Sequence, residues 1–249
     1  SATKDNMDLV IVTLNDGITP LDKEIPELPD EGGEEPSPLP AGTIYISVTG
    51  DDAKDGSSEA NAIASFARAV EIASNRTTRN ATVYVLNGDY TTSMVEDNKT
   101  SLTIIGQEKG KVTIHGTGNY IFSVNNPNLE WKFENLDFVG ISSTGTSAAL
   151  KLWDASNYTL NNCNFRDIKA KYGVDISSKG YVTVTNVVLE NITAATSSAA
   201  SFQVGAAGVY NIDNLIIRNC NLDKTYAATT PTTYLRSIFY VNNDAAVVK

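Results

Sequence analysis

The most usable chemistry in this chain comes from a lysine, a tryptophan and a carboxylate. They are Lys151, Trp153 and Asp175, with Asp154, Tyr158 and Gln203 near them in sequence or in register. An aromatic face beside hydrogen-bonding polar groups suits a sugar. Trp153, Tyr158, Lys151, Asp175 and Gln203 are therefore candidate glycan contacts. Acid–base catalysis at the same place would have to draw its groups from Lys151, Asp175 and Asp154, joined by Arg166. The competing reading is plainer. Lys151 and Asp175 form a surface ion pair worth about 0–1 kcal/mol, and Trp153 packs under a loop.

Other chemistries find less to work with. Asp51, Asp52 and Asp55 lie in TGDDAKDG and could hold calcium, because hard cations take clustered oxygen ligands. Their spacing is not that of a helix–loop–helix calcium site, and acidic turns are common. His115 is the single histidine, so neither a serine triad nor a multi-histidine zinc site can be assembled. Cys163 and Cys220 fall two repeats apart in different columns, roughly 10 Å before lateral offset, too far for a disulfide. Both read as small core hydrophobes.

These candidates must be positioned by a repeat. One pattern occurs four times, as FENLDFVGI (133–141), LNNCNFRDI (160–168), VTNVVLENI (184–192) and IDNLIIRNC (212–220). Stacked, the copies give apolar columns Phe133/Leu160/Val184/Ile212, Leu136/Cys163/Val187/Leu215, Phe138/Phe165/Leu189/Ile217 and Ile141/Ile168/Ile192/Cys220. Between the first two runs a column of Asn135, Asn162, Asn186 and Asn214. A repeat of this size cannot bury its apolar face alone, so neighbouring copies must stack. Apolar residues fall two apart within each copy, which is strand spacing.

A second series, FSV (122–124), LKL (150–152), VDI (174–176), FQV (202–204) and FYV (239–241), keeps the same register. The fold class is thus all-β, a single-stranded parallel β-helix. Asn suits its sharp corners because it tolerates left-handed backbone, and its amide can bond the Asn of the next rung in an asparagine ladder. Alternation turns Ser123, Lys151, Asp175, Gln203 and Tyr240 outward. It also turns out Val139, Arg166, Glu190 and Arg218, whose alternating signs read as a cross-strand charge ladder.

Ahead of the repeats, LVIVTLN (8–14) reads as one strand, within an N-terminal segment 1–21. It either ends a preceding module or adds to an edge of the solenoid. Residues 22–41 hold seven acids and five prolines and read as an extended, solvated linker. The β-helix domain follows over 42–249. Near its start Phe66, Ala69, Val70 and Ala73 give a helix one apolar face, fit to cap the open end of a β-helix. Leu102, Ile104, Val112 and Ile114 point inward in the first rung.

The net charge of −10 is concentrated in residues 1–40, which carry ten acids and two lysines. No basic face is large enough to neutralise phosphates, so nucleic acid is not an expected partner. No apolar run reaches about 18 residues, so no transmembrane segment is expected.

The stretch IYISVTGDDAKDGSS … ASFARAVEIA … ATVYVLNGDYT … LTIIG resembles the opening of the pectate-lyase-like superfamily of right-handed parallel β-helices. It covers roughly residues 43–107, and the rungs beyond extend it. The resemblance implies fold more than activity. Lyases of that superfamily use an Arg or Lys base near calcium-binding acids, and its hydrolases use clustered Asp; neither motif maps residue by residue onto this chain. An acidic linker ahead of such a domain is also similar to bacterial cell-surface polysaccharide-utilisation and adhesin-like proteins. Together these imply an extracellular or cell-surface module that binds polysaccharide or another cell-surface glycan, or acts as an adhesin-like scaffold. A polysaccharide lyase or glycoside hydrolase is the alternative, and no cofactor beyond calcium is implied.

Overall fold

The computed structural model describes residues 12–13, 39–142, 147–153, 157–194, 200–222, 239–241 and 247–248. Within them the chain winds as a parallel β-helix. One rung shows the plan: Asn157–Asn161 forms a first face, Asn164–Arg166 a second, Lys169–Ala170 a short step, and Tyr172–Ser177 a third face. Among the described residues every strand pairing is parallel, and within the coil each joins a strand to its equivalent one rung away. The first and second faces belong to one 13-stranded sheet. The third face is a 6-stranded sheet and the short step a 3-stranded one. The first two faces merge because Tyr181–Glu190 runs unbroken around the corner and pairs with both Asn157–Asn161 and Asn164–Arg166.

The register matches the columns read from the sequence. Phe133 pairs with Leu160, Leu160 with Val184 and Val184 with Ile212. Phe138, Phe165, Leu189 and Ile217 form a second continuous file. All of these but the half-buried Ile212 are buried, and Phe138 stacks on Phe165 with centroids 4.8 Å apart. The third-face series holds as well. Phe122 pairs with Leu150, Leu150 with Val174, Val174 with Phe202 and Phe202 with Phe239. Val95–Asp97 starts that face one rung earlier, a strand too short to show in the sequence pattern.

The corners explain the asparagines. Asn135, Asn162, Asn186 and Asn214 have φ of 57°, 52°, 54° and 54°, the left-handed region that few side chains tolerate. Asn162 Nδ2 donates to Asn135 Oδ1 at 3.3 Å, and Asn214 Nδ2 to Asn186 Oδ1 at 2.7 Å. The amides thus bond across rungs in two pairs. A second corner follows five residues later in each copy. Gly140, Asp167, Asn191 and Asn219 take φ of 73°, 56°, 55° and 51°. The sequence carries its signal, a column of glycine, aspartate and asparagine, beside the more uniform Asn file.

The α-helix Phe66–Ser74 buries Phe66, Ala69 and Ala73 against the first rungs, with Val70 partly buried. Phe66 meets Tyr90 and Phe122 edge-to-face, at centroid distances of 5.9 and 5.4 Å. Val12–Thr13 pairs in parallel with Ile217–Arg218, so this piece of the N-terminal strand joins a late rung. The rest of residues 1–21, and residues 22–38 of the acidic linker, lie outside the described residues.

Candidate functional site

The third face brings together most of the residues singled out for chemistry. Alternation along Ala148–Trp153 buries Leu150 and Leu152 and turns Lys151 and Trp153 to the outside. One rung on, Asp175 pairs with Lys151, and one further Gln203 pairs with Asp175. Residues two apart on a strand share a face, so the Lys151 ammonium lies over the Trp153 ring, 4.2 Å from its centroid. It is also 5.0 Å from the Tyr120 ring. Trp153 Nε1 donates to Asp175 Oδ2 at 2.9 Å, and Gln203 Nε2 donates to Asp175 Oδ1 at 3.1 Å.

Outward direction here does not mean exposure. Ser123, Asp175 and Gln203 are all buried, with Asp175 only 2% accessible. Tyr120 and Tyr172, which the repeat pattern did not flag, rise beside the file and wall a cavity of about 370 Å³. Lys171 lies over the Tyr172 ring at 5.2 Å. Lys151, Trp153, Asp175 and Gln203 line the cavity together with Ser147, Lys171 and Ser177. Trp153 remains 38% exposed at its mouth.

The electrostatics follow from that enclosure. Burial pushes the Asp175 carboxyl up to about 6, against the hydrogen bonds from Trp153 and Gln203 and the charges of Lys171 and Lys151. The surface ion-pair reading fails on the same geometry, since Asp175 is buried and its bonds go to an indole and an amide. Two polar atoms on the wall are buried without a partner: Gln203 Oε1 and Ser147 Oγ.

Several expected contacts are placed elsewhere. Tyr158 is a core residue, 1% accessible, with its hydroxyl donating to the Trp153 carbonyl at 2.9 Å. Its alternation within Asn157–Asn161 points it inward, and it supports Trp153 from behind. Arg166 stands on the second face, 3.8 Å from Asp137, and does not line the cavity. Its neighbours Glu190 and Arg218 make the expected cross-rung ion pair at 3.1 Å. Asp154 lies outside the described residues, as does the side chain of Tyr240.

The acidic turn has another use than metal binding. Asp51 Oδ1 accepts from the Ala53 N–H and Asp55 Oδ1 from the Ser57 N–H. Asp52 accepts from the N–H groups of Ala64 and Ser65 and from Ser65 Oγ, fixing the residue that caps the helix. Among the described residues no group of three or more His, Cys, Asp or Glu converges to hold a metal ion. Asp51 and Asp55 thus each close a turn of their own, while Asp52 ties that turn to the start of the helix.

Among the described residues no helix is long and apolar enough to cross a membrane. The fold and the walled cavity define a parallel β-solenoid with a polar, aromatic-lined recess on its third face. No protein-family model matches the chain, and no curated protein or solved structure matches it.

Proposed function

We propose that this chain is a glycan-binding β-helix module of the pectate-lyase-like kind, displayed at a cell surface or outside the cell, with the third-face cavity as its binding site. The observation that carries the reading is the recess itself. A half-exposed tryptophan and two tyrosines flank buried polar atoms, two of them unpartnered. A concave site with aromatic walls and a few oriented polar groups is the usual design for a sugar ring. The acidic, proline-rich run before residue 42 supports the surface reading, since such a run spaces a domain from what it is attached to. The β-helix over 42–249 then acts as the scaffold.

Binding of the full chain to an array of polysaccharides and surface glycans tests this. Retained fractions should fall about tenfold or more in Trp153→Ala. Equal binding by the variant removes the cavity from the reading, and an array with no bound glycan removes the reading altogether.

A second reading has one observation in its favour. A carboxyl held near 6 inside a cavity is poised for general acid work, so Asp175 beside Lys151 could serve a lyase or hydrolase. Among the described lining residues, however, Asp175 is the only carboxylate, whereas glycoside hydrolysis ordinarily uses two. Incubation with uronate and neutral polysaccharides separates the readings, since an enzyme releases unsaturated or reducing-end products.

A further inference from the structure

Gln203 and Ser147 carry information about the ligand that the aromatic walls do not. Gln203 is 5% accessible and Ser147 1%, and both line the cavity. Gln203 Oε1 and Ser147 Oγ have no hydrogen-bond partner. An unpaired polar atom at such depth is costly, and a ligand bond would recover that cost. The orientation of the Gln203 amide is set by its neighbour. Asp175 takes hydrogens from the Gln203 Nε2 and from the Trp153 indole. An ionised carboxylate only accepts, so the amide nitrogen must face Asp175 and the amide oxygen must face the cavity.

The floor of the cavity is therefore built to accept. A carboxylate or sulfate pressed against Gln203 Oε1 and Asp175 would meet oxygen with no hydrogen between. An ammonium would meet two lysines, Lys151 and Lys171, already seated over the Trp153 and Tyr172 rings. At the Gln203–Asp175 end of the cavity, what fits is an uncharged group with hydrogens to give. Building on the glycan-binding reading, we infer that the cavity selects an uncharged sugar chain, one hydroxyl of which donates to Gln203 Oε1 while another, further along the cavity, pairs with Ser147 Oγ. Asp175 acts in this as a positioning residue that keeps the Gln203 oxygen turned inward.

Titration calorimetry on the full chain tests the inference with four oligosaccharide classes as probes: neutral hexose, N-acetylhexosamine, uronate and free amino sugar. The expected result is binding of an uncharged probe, neutral or N-acetylated, at least about tenfold tighter than either charged one. Gln203→Met removes the acceptor at similar volume, and Ser147→Ala removes the hydroxyl with little change of shape. Each should weaken that binding about five- to tenfold. Asp175→Asn supplies a readout that simple loss of structure would not give. Its amide can donate to Gln203 Oε1 and free the Gln203 amide to turn its N–H groups inward, so preference should shift from the uncharged probe toward the uronate.

Tightest binding of a charged probe overturns the inference, as does uncharged binding that Gln203→Met and Ser147→Ala both leave unchanged. If glycans bind in a Trp153-dependent way under either result, the glycan-binding reading stands and only the selectivity falls. No binding by any probe class, with Trp153→Ala equally inert on the array, overturns both.

Discussion

Asp175 sits where its charge is least welcome, and its ionisation should be visible in stability. Burial raises its pKa from an ordinary 3.8 to about 6. Between those values the folded chain holds a proton that the unfolded chain releases. The contribution of this group to stability is therefore full at lower pH and lost as pH rises through that window, by about 3 kcal/mol. Urea unfolding of the wild type and of Asp175→Asn measures it. The wild type should lose about that much relative to the variant between about pH 4 and pH 7. A pH-independent difference would show that Asp175 carries no raised pKa.

The corner asparagines make a second residue-scale case. Asn162 holds φ of 52° and bonds to Asn135. Alanine there meets the left-handed penalty and loses the bond, about 2–3 kcal/mol in all. Glycine loses only the bond and should cost about 1 kcal/mol. Chemical denaturation of Asn162→Ala and Asn162→Gly should rank them in that order. Equal losses would mean that the amide bond, and not the backbone conformation, selects asparagine.

At the scale of the element, the capping helix depends on a residue outside it. Asp52 holds Ser65 by its N–H and its hydroxyl, and Ser65 Oγ in turn accepts from the Arg68 N–H at 3.1 Å. Asp52→Ala should lower stability by about 1–2 kcal/mol, through the loss of a relayed N-cap. Asp52→Asn keeps an acceptor oxygen and should cost less. Because Asp51, Asp52 and Asp55 already accept from backbone N–H groups, added calcium should leave the melting temperature unchanged. A calcium-dependent rise, absent in Asp52→Ala, would return the acidic turn to metal binding.

Across the molecule, one continuous core runs from the helix through the last described apolar rungs, and both cysteines are inside it. Burial pushes the Cys163 thiol up to about 12 and raises Cys220 as well. Neither thiol should react with an alkylating reagent in the folded protein. Both should label together, at a rate that follows global unfolding. Early labelling of Cys220 alone would show that the later rungs open as a separate unit, a behaviour open to solenoids because each rung touches only its neighbours.

The periodicity of the chain was enough to determine its coil. Apolar residues two apart, repeated at near-constant steps, leave only stacking to bury them, so the rungs, their register, the inward columns and the Asn corners were all legible. Lys151, Asp175 and Gln203 were legible as one outward file for the same reason. Whether that file met water was not, because alternation gives a side chain's direction and not what lies above it. That was decided by Tyr120, Tyr172 and Ser147, which stand beside the file and line the cavity with it. Tyr158 turns into the core and not toward the cavity because its strand belongs to the next face of the coil, with an alternation of its own. The walls of the cavity, the raised carboxyl within it and the two unpaired atoms in its lining exist only once neighbouring rungs are laid over one another, since each depends on residues from different rungs.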